Sequence, residues 1–292
     1  MSVVLAIVGR NLRLFFRDRL NVFFSLLGAI ILFALYTLFL GNLQTEDLVA
    51  SVPGASADEV QAFVDSWMFA GIVLITTVTT GLGGLSVLVE DDQSGRFKDF
   101  LVAPLRRGQL VLGYLLSAAT IAVLISTAVL VVSVLYLGLL RGTWLSPGAI
   151  VRSLGIVVLS CIAFTSLSAL IVSFVRTTGA YSGLATIVGT VLGFVAAAYI
   201  PVGVFPPAVA SVVSALPFAQ AGMLLRREFS DDTLAAMTAD APGADDALRL
   251  VYGLDLQVGE WMVPAWFVVV SLIVLAIVCT TLSAIRIRRR IR

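Results

Sequence analysis

The chain has 292 residues, 59% of them hydrophobic and only 13% charged, with a mean hydropathy of +1.04. A soluble domain carries about 25% charged residues, so this chain lacks the polar surface to cover itself in water and reads as an integral membrane protein. It has no His, and its two Cys, Cys161 and Cys279, lie in separate apolar runs. That pattern supports neither a disulfide framework nor a metal site, and no nucleic-acid partner is expected.

In chain order, residues 1–21 come first. Leu5, Val8, Leu12, Phe15 and Phe16 follow the rhythm of one helical face, and Arg10, Arg13 and Arg17 form a second stripe. The pattern fits an amphipathic helix lying on the inner leaflet; it equally fits a plain basic anchor. A signal peptide is not expected, because the following apolar run is too long and no small-residue cleavage site follows it.

A helical span needs ~20 mostly apolar residues. Six runs qualify: Val22–Leu40, Trp67–Val89, Leu110–Leu140, Ser153–Val175, Ala180–Ile200 and Val263–Ile285. The third is long enough to tilt or overhang. A further apolar stretch, 202–221, is broken by Pro206, Pro207 and Pro217, so it is expected as a pair of short re-entrant helices. Residues 222–262 are expected to form an extracellular loop. The fold class is therefore all-α, in a single membrane domain over 1–292.

Basic residues mark the cytoplasmic side. The N-terminal arm, the loop 90–107, Arg176 and the C-terminal tail hold 14 of the 19 Lys and Arg. The opposite side has Arg141, Arg152, Arg226, Arg227 and Arg249, with five acids in Glu46–Asp65 and eight in Glu228–Glu260. Both termini are expected in the cytoplasm of a multi-pass protein of the cell membrane. Counting 202–221 as a seventh span would put the five-Arg tail outside, against this pattern.

The loop "EDDQSGRFKDFLVAPLRR" joins spans two and three. Phe97, Phe100 and Leu101 are spaced to form one apolar ridge on a short helix that Pro104 would end. The ridge either docks into a groove on a partner or dips into the inner leaflet. The only Lys, Lys98, lacks the glycine-rich context of a phosphate-binding loop, so this chain has no P-loop nucleotide site.

Within the membrane, span two offers Thr76, Thr77, Thr80, Gly81 and Gly84, and span five offers Thr186 and Thr190. Span five also carries small residues at four-residue steps, among them Gly183, Gly189 and Gly193. Such stripes let helices approach closely. The two sets suit a substrate pathway and a helix–helix seam; packing inside one chain explains them as well. No Asp, Glu, Lys or Arg lies deep in any span, which argues against an ion-coupled secondary transporter. With neither His nor a buried acid pair, no chemistry of a membrane enzyme is visible. A sensor or immunity protein that binds without transporting is a third alternative.

The stretch "EDDQSGRFKDFLVAPLRRGQLVLGYLL" resembles the first cytoplasmic loop of the membrane subunits of type-2 ABC exporters, through Glu90, Gly95, Leu101, Ala103, Pro104, Arg106, Arg107, Leu112 and Gly113. Tyr114 stands where that family often has Lys. A second likeness follows span five, in "YIPVGVFPPAVASVVSALPFAQAGMLLRREF", through Gly203, Phe205, Pro206, Leu216, Pro217, Leu225 and Arg226. "AQAG" replaces the family's usual Pro-Leu-Thr.

The resemblance implies a permease subunit of the drug- or antibiotic-efflux kind, working by alternating access. Two separate ATPase subunits would bind ATP and Mg, and this chain would bind no cofactor of its own. Glu90, Gly95, Phe97, Phe100, Leu101, Pro104 and Arg106 would form the coupling helix that meets the ATPase. Spans one and five would meet a second permease subunit, identical or related, and spans two and five would line a shared cavity. Phe205, Pro206, Leu216 and Pro217 would shape a re-entrant gate. Hydrophobic or amphipathic drug-like substrates are expected, with polysaccharide or glycolipid as the alternative.

Overall fold

Backbone polar groups have no water to bond in hydrocarbon, so an apolar run must close its hydrogen bonds within itself as a helix. The computed structural model describes residues 3–97 and 107–290, and over these the chain is helical apart from one short hairpin.

Helix α1, Val3–Arg17, turns Ile7, Asn11 and Phe15 inward and ends at Asp18. The Asp18 carboxylate accepts from the backbone N–H groups of Leu20 and Asn21, which caps α2, Arg19–Leu35. A single π-helical turn, Tyr36–Leu40, leads without a break into α3, Gly41–Ser51. Together they make a first span of 33 residues. Helix α4, Ala57–Gly83, starts from a capping box of Ser56 and Glu59. After a one-turn break it continues as α5, Ser86–Gln93, completing the second span.

The third span is α6, Arg107–Arg141, and the fourth is α7, Pro147–Val172, capped by Ser146 with proline in its first turn. The fifth is α8, Thr178–Val195, capped by Thr177. A 3₁₀ turn, Val202–Val204, precedes α9, Pro207–Ala215, and α10, Pro217–Met237. Helix α11, Ala244–Tyr252, and the hairpin Gln257–Val258 with Trp261–Met262 lead to the sixth span, α12, Ala265–Arg290.

The second span is the axis of the bundle. Helix α4 is buried almost continuously from Val60 to Gly83, enclosed by α2, α6, α7 and α10. The fifth span is its opposite, since only Leu192 and Gly193 are buried along α8.

Two expected boundaries move. The fifth span stops at Val195 rather than Ile200, because Ala197 takes the left-handed conformation (φ +49°) and turns the chain aside. Helices α9 and α10 meet at 84°, as a re-entrant pair would, but α10 runs on to Met237. The stretch 222–262, expected as a loop, is therefore mostly folded. It buries Leu225, Phe229, Leu234, Tyr252 and Leu256 in the main core.

The acid-rich end is laced by ion pairs: Arg141 with Asp65, Arg152 with Glu228, Arg227 with Asp255, and Arg249 with both Asp231 and Asp255. Four of the five arginines at this end thus have a carboxylate. The fifth, Arg226, has none among the described residues.

Candidate functional site

A cleft of about 620 Å³ opens between spans one, two and five. Span one gives it Asn21, Phe24, Gly28 and Ile31; span two gives Thr79 and Leu82; span five gives Tyr181, Thr186, Gly189, Thr190 and Phe194. Tyr199, just beyond the end of α8, closes the wall at the acid-rich end. The hydroxyls of Thr79, Thr186 and Thr190 donate back to carbonyls one turn earlier, at 3.1, 2.9 and 2.9 Å. Each is thereby satisfied while its oxygen can still accept from a guest. The wall is mainly apolar with a few acceptors, which suits an amphipathic molecule.

At the Arg-rich end lies a second feature, a buried carboxylate. Asp91, on α5, is fully buried. Arg10 of α1 grips it with both terminal guanidinium nitrogens, at 2.6 and 3.0 Å. Arg96 reaches it at 3.1 Å, and the hydroxyl of Tyr114, on α6, donates to it as well. The bonds that Arg10 donates to Asp91 hold its guanidinium above its ordinary pKa. Beside them, Asn11 of α1 donates to Ser117 of α6 at 3.1 Å. One carboxylate therefore ties the amphipathic helix, the end of span two and the start of span three together.

The sequence profile of the ABC-2 family transporter proteins matches residues 41–285. The chain belongs to that family. No curated protein matches the chain. An ABC-2 permease domain is a transport subunit rather than a catalytic one, and it works with an ABC ATPase in a membrane.

Of the pathway residues expected in this ABC-2 permease, the cleft gathers Thr186 and Thr190. Thr76, Thr77 and Thr80 face the interior of the bundle, fully buried, with their hydroxyls on carbonyls of their own helix. A methyl group at Gly81 would lie 2.5 Å from Thr165 Oγ1, and one at Gly84 would lie 2.9 Å from Ala118 Cα. These glycines serve close packing of span two on spans four and three. The threonine of span two that does line the cleft is Thr79, one position before Thr80. The sequence carried the threonine run but not the phase of the helix within it.

The seam residues divide too. Gly183 and Gly189 have open space beside them, whereas Gly193 is closed over by the ring of Tyr199. Of the gate residues, Phe205 is half-buried against the core and Pro206 precedes α9. Leu216 and Pro217 form the 84° elbow.

The coupling ridge needs correction. Phe97 is not an exposed knob: it is 7% accessible, and its ring lies edge-on to Tyr114 at 5.8 Å. It is neither free to dock nor dipped into the leaflet, because the permease's own core covers it. Glu90 is exposed, and Gly95 turns the chain at φ +75°. Phe100, Leu101, Pro104 and Arg106 lie outside the described residues.

Asp91 was missed. In the run Glu90-Asp91-Asp92 nothing local distinguishes the middle acid; only its helical phase against Arg10 and Tyr114 does.

Proposed function

We propose that the chain is the permease subunit of an ATP-driven exporter that moves hydrophobic or amphipathic compounds out of the cytoplasm or the inner leaflet. The cleft between spans one, two and five carries this reading. One of its walls, span five, is a helix that buries almost nothing within its own chain. A second permease subunit packing against spans one and five would close the cleft into a cavity shared by both, and the open flanks of Gly183 and Gly189 favour a close approach there. Two ATPase subunits bind ATP and Mg at the Arg-rich, cytoplasmic end, and both termini of the permease face them.

The wall favours drug-like compounds over sugars chiefly through its apolar surface. Four aromatic side chains, Phe24, Tyr181, Phe194 and Tyr199, also gather in the cleft. Planar aromatic amphiphiles fit such a wall. With Phe97 covered, the docking surface for the ATPase falls to the rest of 90–107, including Phe100 and Leu101.

The test uses inside-out membrane vesicles holding the permease and its ATPase. ATP-dependent uptake of the lipophilic dye Hoechst 33342 is expected, and Thr190→Trp is expected to reduce it while assembly is retained. Uptake that proceeds without ATP, or ATP-driven uptake of polysaccharide but not of the dye, would overturn the reading.

A further inference from the structure

Arg226 is fully buried and over Trp67, its guanidinium carbon 5.3 Å from the ring centre. Every other arginine at this end holds a carboxylate. Arg226 instead spends one nitrogen on two backbone carbonyls, those of Ala196 at 2.8 Å and Ala197 at 2.6 Å. Its Nε and the remaining terminal nitrogen make no hydrogen bond. Burying a charge with so few partners is costly.

The two carbonyls identify that place. They belong to the turn that ends span five, where a helix leaves its last carbonyls without partners. The N–H groups of Ala198 and Tyr199 fold back onto the carbonyl of Gly193, at 2.8 and 3.0 Å, which is the closure of a helix end through a left-handed residue. That residue is normally glycine; here it is Ala197, at φ +49°. The guanidinium meets the orphaned carbonyls on either side of the strained position and complements the negative end of the helix dipole.

Its seat is built for it. A methyl group at Gly222 would lie 3.4 Å from the guanidinium, and one at Gly253 would lie 2.9 Å from it. Two residues past the turn stands Tyr199, whose ring covers Gly193, meets Phe194 edge-on at 5.2 Å and forms the end wall of the cleft.

We infer that Arg226 is the positioning residue of the outer gate: it clamps the left-handed turn at Ala197 and thereby holds Tyr199 and Phe194 across the outer end of the cleft. The inference rests on the exporter reading for the words gate and outer; the clamp itself does not depend on it.

The experiment is made in cells expressing the full chain with its ATPase. Thr190→Cys places a reporter in the cleft, and a membrane-impermeant maleimide is applied from outside; labelling of the chain without the reporter is subtracted. Arg226→Met is expected to raise labelling about five-fold or more, the population shift that the loss of a hydrogen bond to a charged group allows. Ala197→Gly alone is expected to leave labelling unchanged. Added to Arg226→Met it should bring labelling back toward the starting value, because glycine adopts the left-handed turn without help.

Unchanged labelling in Arg226→Met overturns the inference, and so does failure of Ala197→Gly to reverse the rise, since a merely structural arginine would not be rescued there. If Arg226→Met does not reach the membrane, Arg226→Lys carries the same criteria: it keeps the charge but loses the fork. Vesicle uptake is measured alongside. The labelling pattern without ATP-driven export would count against the exporter reading and leave the clamp standing.

Discussion

Asp91→Asn tests how tightly the Arg-rich end is tied. Asp91 is fully buried and accepts from both terminal nitrogens of Arg10, one of Arg96 and the hydroxyl of Tyr114. Removing one member of a fully buried pair costs about 3–5 kcal/mol, because a bare charge is left behind. Here Arg10 keeps 30% of its side-chain surface in solvent and Arg96 keeps 53%, so both are partly screened when released. The expected cost is therefore lower, about 2–3 kcal/mol, the range of a charged hydrogen bond. Unfolding of the detergent-solubilised chain by SDS titration measures it. Arg10→Ala and the double variant complete a cycle whose coupling is expected at about 1–2 kcal/mol. Tyr114→Phe, which loses one bond to the carboxylate and leaves those from Arg10 and Arg96 in place, should cost about 1.5 kcal/mol, the low end for a hydrogen bond to a charged group. An Asp91→Asn chain as stable as the parent, or strict additivity with Arg10→Ala, would show that the carboxylate holds nothing together.

Phe97→Asp should destabilise the solubilised chain even with no ATPase present, by about 3–5 kcal/mol as for loss of a buried Phe; an unchanged unfolding midpoint would return Phe97 to the role of a free docking knob. Gly84→Leu should disrupt the contact of span two with Ala118 and lower the yield of folded protein. Gly189→Leu should leave the single chain's stability within about 0.5 kcal/mol and weaken chain–chain crosslinking through span five instead. Equal effects at both glycines in the unfolding assay would contradict the difference in their surroundings. A Cys placed at Asp240 should react with an impermeant label from outside and one placed at Arg289 should not; the reverse pattern would invert the topology.

The spans were legible because six apolar runs leave a backbone in lipid no alternative to helix. Their ends were less so, for reasons particular to each. Ala196–Ile200 is as apolar as a helix interior, and only the left-handed turn at Ala197 removes it from span five. Residues 226–232 read as a charged loop, yet Arg226, Phe229 and Ser230 share the buried face of α10. The alternation of charge and apolar residues there follows a helical surface, half of it against the core. At the site, the sequence supplied the right residue types, but the helical phase that separates Thr79 from Thr80 and Asp91 from Glu90 is set by tertiary packing.

Span five is held to its own chain chiefly near its two ends. The hydroxyl of Tyr181 donates to the carbonyl of Leu82 at 2.7 Å near one end, and Arg226 grips the other. Between these pins the helix is nearly bare. A lone chain would therefore show lipid a face of small residues, Gly183, Thr186 and Thr190, interleaved with the larger Ile187, Val191 and Phe194, a relief of gaps and knobs suited to another helix. Assembly hides it. In the proposed exporter that cover is a second subunit, and the bareness of this helix between its two pins is the reason to look for one there.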